Sequence, residues 1–167
     1  LRLSTKVTAD DIETAQFDSA ILATGVRPRL PNIEGIGNPN VIGYADVLNG
    51  STKLGGRVAI VGGGGIAFDV ALYLLEVDDP SFTDPDAFRR RWGIGHPLPE
   101  IEPSYQITMM QRSEGPMGRR LGKSTGWVHR AIMKQNRVRQ ISGVRYERID
   151  EKGIYIEVGG VTELVVA

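Results

Sequence analysis

One hundred and sixty-seven residues suffice for one domain, or one domain and part of another, with a buried core and no cross-links. Twenty Lys+Arg balance twenty Asp+Glu, which argues against a strongly basic nucleic-acid binder, and no apolar run reaches the ~20 residues of a membrane span. With no Cys these residues hold no disulfide framework, thiol nucleophile or iron–sulfur cluster, and the two His, His96 and His129, lack zinc-site spacing.

The opening Leu1-Arg2-Leu3-Ser4-Thr5-Lys6 is no signal peptide and lacks an initiator Met, which points to a piece of a longer protein. Residues 1–8 read as a strand with imperfect alternation, and 18–25 as a short buried strand stopped by Gly25. Pro28 and Pro31 then mark an extended connection, with a domain boundary in it or soon after. A short helix ends at Asn49-Gly50. The continuous apolar run Val58-Ala59-Ile60-Val61 predicts a strand covered on both faces, as in a parallel sheet. Residues 66–75 follow as a helix with Ile66, Val70, Tyr73 and Leu74 on its apolar face. Over 76–104 periodicity fails among five prolines; this reads as a surface insertion with one helical turn at 86–92. Its acidic residues Glu76, Asp78, Asp79, Asp84 and Asp86 are expected to form a solvated face. A strand at 106–110 and a helix at 125–135, with Trp127 and Ile132 inward, come next. Four short strands at 138–141, 144–149, 154–158 and 161–166 close the chain, and Gly159-Gly160 is a hairpin signal. The fold class expected is α/β: a Rossmann-like nucleotide-binding domain with a central parallel sheet plus an antiparallel β-meander.

The chemistry lies in Val61-Gly62-Gly63-Gly64-Gly65-Ile66-Ala67-Phe68-Asp69, which places G-x-G-x-x-A between a strand and a helix. Gly62 allows the tight turn, Gly64 lets backbone approach a pyrophosphate, and Ala67 lets the helix pack closely on the strand. The helix start, at Gly65 and Ile66, presents unpaired N–H groups to phosphates. The usual acidic residue ~20 positions on falls among the prolines, at Asp84 and Asp86. The next strand ends instead at Gln111-Arg112-Ser113, and a guanidinium there suits a 2′-phosphate, favouring NADP(H) over NAD(H). A nucleotide-binding module without catalysis and a methyltransferase loop use similar glycines and stay open at this point.

Ser19-Ala20-Ile21-Leu22-Ala23-Thr24-Gly25-Val26-Arg27-Pro28 resembles the A-T-G-x-x-P segment of flavoproteins that bind both FAD and a pyridine nucleotide. Gly35-Ile36-Gly37-Asn38-Pro39-Asn40-Val41, Gly64-Gly65-Ile66-Ala67-Phe68-Asp69 and Leu121-Gly122-Lys123-Ser124-Thr125-Gly126-Trp127-Val128-His129-Arg130 are similar to the C-terminal part of bacterial NADPH-dependent 2,4-dienoyl-CoA reductases. The resemblance implies residues 1–52 as a remnant of an FAD domain with its linker, and 53–167 as an NADPH domain. It implies hydride transfer from NADPH to FAD in a cytoplasmic parent enzyme that also holds FMN and a 4Fe-4S cluster and acts in fatty-acid β-oxidation. The nucleotide and the rest of the flavoprotein are then the expected partners, with no nucleic acid and no membrane. Thr24 and Gly25 would belong to the flavin side, and Asp69 would accept an N–H of the nicotinamide carboxamide. No catalytic residue or metal ligand is expected in this stretch, which alone would be catalytically silent. The ADP-binding domain of a trimethylamine-dehydrogenase-like protein is the alternative within the same group.

Overall fold

The computed structural model describes residues 2–76, 79–97, 99 and 102–167. Its body has three layers. The strands β1 (Arg57–Val61), β2 (Gln106–Gln111) and β3 (Arg139–Ser142) form a parallel sheet in the order β1-β2-β3. Val58, Ile60, Ile107 and Met109 pack on one side against helices α3 (Gly65–Glu76) and α5 (Gly126–Gln135), chiefly Phe68, Ala71, Leu74, Ile132 and Met133. Ala59, Met110 and Ile141 pack on the other side against Val144 and against Ile154, Ile156 and Val165 of an antiparallel meander. That meander comprises β4 (Arg145–Asp150), β5 (Gly153–Val158) and β6 (Val161–Val166). Two covered faces explain the apolar run Val58-Ala59-Ile60-Val61 that makes up β1 after Arg57. Phe68, Met109, Met110, Met133 and Ile156 are fully buried, each stabilising the fold by roughly 1.5–3 kcal/mol. The fold is therefore α/β and Rossmann-like, a parallel sheet backed by an antiparallel meander. The first of the four closing strands joins the parallel sheet beside β2, and the other three form the meander. Gly159 and Gly160, with φ of 59° and 82°, make the hairpin between β5 and β6.

Several elements differ from expectation. No strand forms over 2–8 or 18–25; a helix, α1 (Ala9–Thr14), lies between them, with a Thr8–Asp11 capping box. Leu1 lies outside the described residues. Ile21 is 93 % exposed, because an apolar run becomes a buried strand only where a neighbour takes its backbone donors and covers its side chains. Residues 33–52 pack on the body: Ile33 is buried, and Val47 of α2 (Tyr44–Leu48) joins the helix-side core.

On α3 the buried face is Ala67, Phe68, Val70, Ala71 and Leu74, while Ile66 and Tyr73, expected inward, are exposed. The close approach of the helix to β1 at Ala67 sets its rotation and turns Ile66 to solvent. On α5, Trp127 is 60 % exposed rather than inward, its Nε1–H donating to the Ser124 carbonyl at 2.9 Å. Gly126 faces the interior in its place, since a Cβ there would sit 2.9 Å from Leu121 Cβ. His129 is half-buried and stacked on Phe68, with ring centroids 6.4 Å apart.

The proline-rich segment is more built than a surface insertion. Asp79 and Asp84 cap a 3-10 turn (Pro80–Phe82) and α4 (Pro85–Arg91), each with Pro in its first turn. The acidic run is not wholly solvated. Glu76 and Asp79 are ion-paired to buried Arg91, which lies 2.8 Å from Glu76 and also donates to Ser81 Oγ at 3.0 Å. A buried guanidinium requires such partners, and these two carboxylates are within its reach. Asp84 and Asp86 are exposed; Asp78 lies outside the described residues.

Candidate functional site

The glycine loop joins β1 to α3, and its four glycines have different reasons for being glycine. Gly62 has φ +134°, a conformation side-chain-bearing residues rarely adopt, and its N–H donates to the Met110 carbonyl at 2.7 Å. At Gly63 a Cβ would lie 3.0 Å from Gln111 Cβ and overlap its side-chain amide. That amide is itself tied down, Nε2 donating to Ser142 Oγ at 3.1 Å and to the Gly115 carbonyl at 3.0 Å. The protein's own packing thus accounts for Gly62 and Gly63.

It does not account for Gly64 and Gly65, where a Cβ would meet nothing within 4 Å. The Gly64 carbonyl accepts from Ala67 and Phe68 N–H at 3.1 and 3.2 Å and so caps α3. The N–H groups of Gly65 and Ile66, in the first turn, have no intrahelical acceptor and carry the positive end of the helix dipole. Ala67 packs beneath: its Cβ would be 3.9 Å from one placed on Gly62.

In front of the loop lies a cleft of about 1220 Å³. It sits at the carboxyl ends of β1 and β2, the position where open α/β sheets bind ligands. Gly62, Gly63, Gly64 and Gly65 form its floor, the turn after β2 one side, residues 29–33 another, and Tyr146 of β4 part of the back. Five arginines line it (Arg29, Arg112, Arg119, Arg120 and Arg145) against one carboxylate, Glu114. Arg145 is paired with Glu147 and Glu157; among the described residues the other four have no carboxylate within ion-pair distance. Four uncompensated guanidinium groups give the cleft a positive field suited to a polyanion.

Tyr146 locks the layers together. Its hydroxyl donates to the Met110 carbonyl at 2.8 Å, the same oxygen that accepts from Gly62. Burial pushes its pKa up to about 12 against the opposing pull of Arg112, so it remains a phenol donor at neutral pH. Sequence reasoning missed Tyr146, Arg29 and Arg145 because only tertiary folding brings them to the loop.

The structure gathers Gly62, Gly63, Gly64, Gly65 and Arg112 around one cleft, with Ile66 and Ala67 behind the loop in the first turn of α3. Asp69 is exposed on α3, and Thr24 and Gly25 lie on the exposed leading segment; none of the three lines the cleft. No helix among the described residues is long and apolar enough to cross a membrane.

Fold and site together define a nucleotide-binding α/β domain: glycines open toward a ligand, a helix N-terminus and free guanidinium groups at the ends of parallel strands. Residues 2–166 match the family model described as pyridine nucleotide-disulphide oxidoreductase, and the chain belongs to that family. The family comprises oxidoreductases that work with a pyridine nucleotide and a flavin; with no Cys, these residues hold no redox disulphide of their own. A curated relative, a metal reductase of Desulforamulus reducens, is 27% identical over 183 residues, which cover 100% of this chain and 26% of the relative. Among solved structures, a 2-naphthoyl-CoA reductase complex aligns over 99% of this chain and 21% of its own, at 24% identity and a TM-score of 0.68. The 6-hydroxypseudooxynicotine amine oxidase of Pseudomonas geniculata N1 aligns over 98% of this chain and 22% of its own, at 18% identity and a TM-score of 0.61. These two structural likenesses concern the fold. The chain spans about a quarter of the curated relative's length.

Proposed function

We propose that this chain binds NADPH in the cleft and presents it to an FAD held by the rest of a longer reductase resembling the 2,4-dienoyl-CoA reductases. One observation carries the reading: Gly64 and Gly65 are open where the protein itself would accept a side chain, directly at the start of α3. A pyrophosphate laid there would take the free N–H groups of Gly65 and Ile66 as donors. Arg112, on the turn after β2, would pair the 2′-phosphate, with Arg119 and Arg120 adding field. Four uncompensated arginines favour this over the ADP-only alternative, which brings one phosphate fewer. The nucleotide supplies a hydride; these residues bind and orient it, and no side chain here moves a proton.

In this reading the leading segment, with Thr24 and Gly25, belongs with the flavin domain, where its exposed apolar run would be covered. Asp69 lies one turn into α3 from the loop, and the carboxamide contact expected of it would need the nicotinamide to extend past the cleft to the exposed side of that helix. A 4Fe-4S cluster would be held elsewhere in the parent, since no Cys is available here, and FMN in a further domain that the resemblance implies. An enoyl-thioester substrate for the parent, and with it a cytoplasmic role in the β-oxidation of unsaturated acyl chains, rests on the resemblance of residues 121–130 to the dienoyl-CoA reductases.

Anaerobic rapid mixing of NADPH with the full-length protein tests this. The flavin absorption at roughly 450 nm should bleach with NADPH and return when a 2,4-dienoyl-CoA is added. Absence of bleaching would remove the hydride-transfer reading; bleaching without recovery would remove only the substrate class.

A further inference from the structure

The stretch Gly35-Ile36-Gly37-Asn38-Pro39-Asn40 touches neither the glycine loop nor the cleft, yet it is bound to the meander by a dense set of contacts. Ile149 N–H donates to the Glu34 carbonyl at 2.8 Å. Asn38 Nδ2 donates to the Ile149 carbonyl at 3.0 Å, partly buried, and Asn40 Nδ2 to the Asp150 carbonyl at 2.9 Å. Glu34 and Arg148 form an isolated parallel bridge, so the stretch runs along the outer edge of β4. Gly35 makes the approach possible. Its φ is +81°, and a Cβ there would overlap the Ile149 carbonyl, 2.9 Å from its carbon. Pro39 disfavours helical backbone at Asn38, whose N–H closes a turn on the Gly35 carbonyl at 3.0 Å. Immediately before this clip, Arg29, Leu30, Pro31, Asn32 and Ile33 form one wall of the cleft. Residues 18–28 before the wall are exposed, so its position is fixed from the clip side.

We infer that Asn38 is a positioning residue for the nucleotide site: it clips the 29–33 wall, and with it Arg29, to β4. This rests on the reading that the cleft holds NADPH. Nucleotide affinity then depends on a side chain that never touches the nucleotide. Asn38→Asp is the sharpest probe, because it keeps the shape but places an acceptor against the Ile149 carbonyl.

The experiment is a double-mutant cycle in the full-length protein, reading NADPH affinity by titration and Tm by thermal melting. The variants are Asn38→Asp, Arg29→Ala and both together. Asn38→Asp should weaken NADPH binding about five- to tenfold, the equivalent of one net hydrogen bond. In the Arg29→Ala background the same change should cost less than about twofold, since the group it positions is gone. A purely structural role would lower Tm and leave the two losses multiplicative, and that result overturns the inference. Unchanged affinity in folded Asn38→Asp overturns it as well. Should Asn38→Asp not fold, Asn38→Ser removes the bond without adding charge and is read the same way. Wild-type protein that fails to bind NADPH would sink the site reading and the clip with it; normal wild-type binding with an insensitive Asn38 would sink the clip alone.

Discussion

Gly64→Val should abolish nucleotide binding while the protein stays folded. A Cβ at Gly64 would meet no protein atom within 4 Å, and no left-handed φ is required there. Within the protein the cost is the exchange of glycine for a poor N-cap residue, about 1 kcal/mol, visible as a small fall in Tm. A bound pyrophosphate would collide with the two methyl groups, so affinity should fall by at least about a hundredfold, or ~2.8 kcal/mol. Calorimetric titration with NADPH alongside a thermal melt separates the two effects. Undiminished affinity in a folded variant would mean that the loop is only a packing turn. Gly63→Val is the informative contrast: it strikes Gln111 and should destabilise the fold itself.

Arg112→Ala should weaken NADPH binding by about 1.5–3 kcal/mol, roughly ten- to 150-fold, and leave NADH binding nearly unchanged. Arg112 lines the cleft from the turn after β2 and, among the described residues, has no carboxylate partner to release on mutation. The loss should therefore come from the nucleotide's 2′-phosphate and not from rearrangement of the protein. Parallel titrations with NADPH and NADH check it. Equal losses for both would assign Arg112 to the general field of the cleft, and no loss would move the 2′-phosphate to Arg119 or Arg120.

The glycine loop is legible in sequence because its constraints act on single residues: a positive φ at Gly62 and Gln111 packed against Gly63 call for glycine within the protein, and the G-x-G-x-x-A spacing between strand and helix marks Gly64. Both sheets are legible for a related reason, since burial on two faces produces the unbroken run in β1 and the Gly159-Gly160 turn produces the hairpin. Helix rotation is less so. The inward positions of α3 and α5 are set by small residues, Ala67 and Gly126, which let a neighbour come close, and hydrophobicity alone favours Ile66 and Trp127 instead. Arg91 among its carboxylates, and the cleft wall formed by 29–33 and Tyr146, depend on contacts between distant parts of the chain that leave no local pattern. The run Ala20-Ile21-Leu22-Ala23 shows the converse: strand propensity without a partner yields exposed chain outside any strand.

The most direct test of nucleotide binding at the glycine loop is a crystal structure of the full-length protein with NADP⁺ bound. The pyrophosphate should lie over Gly64, on the N–H groups of Gly65 and Ile66, with the 2′-phosphate beside Arg112. A nucleotide bound away from the glycine loop, or one whose pyrophosphate contacts neither Gly65 nor Ile66, would contradict it.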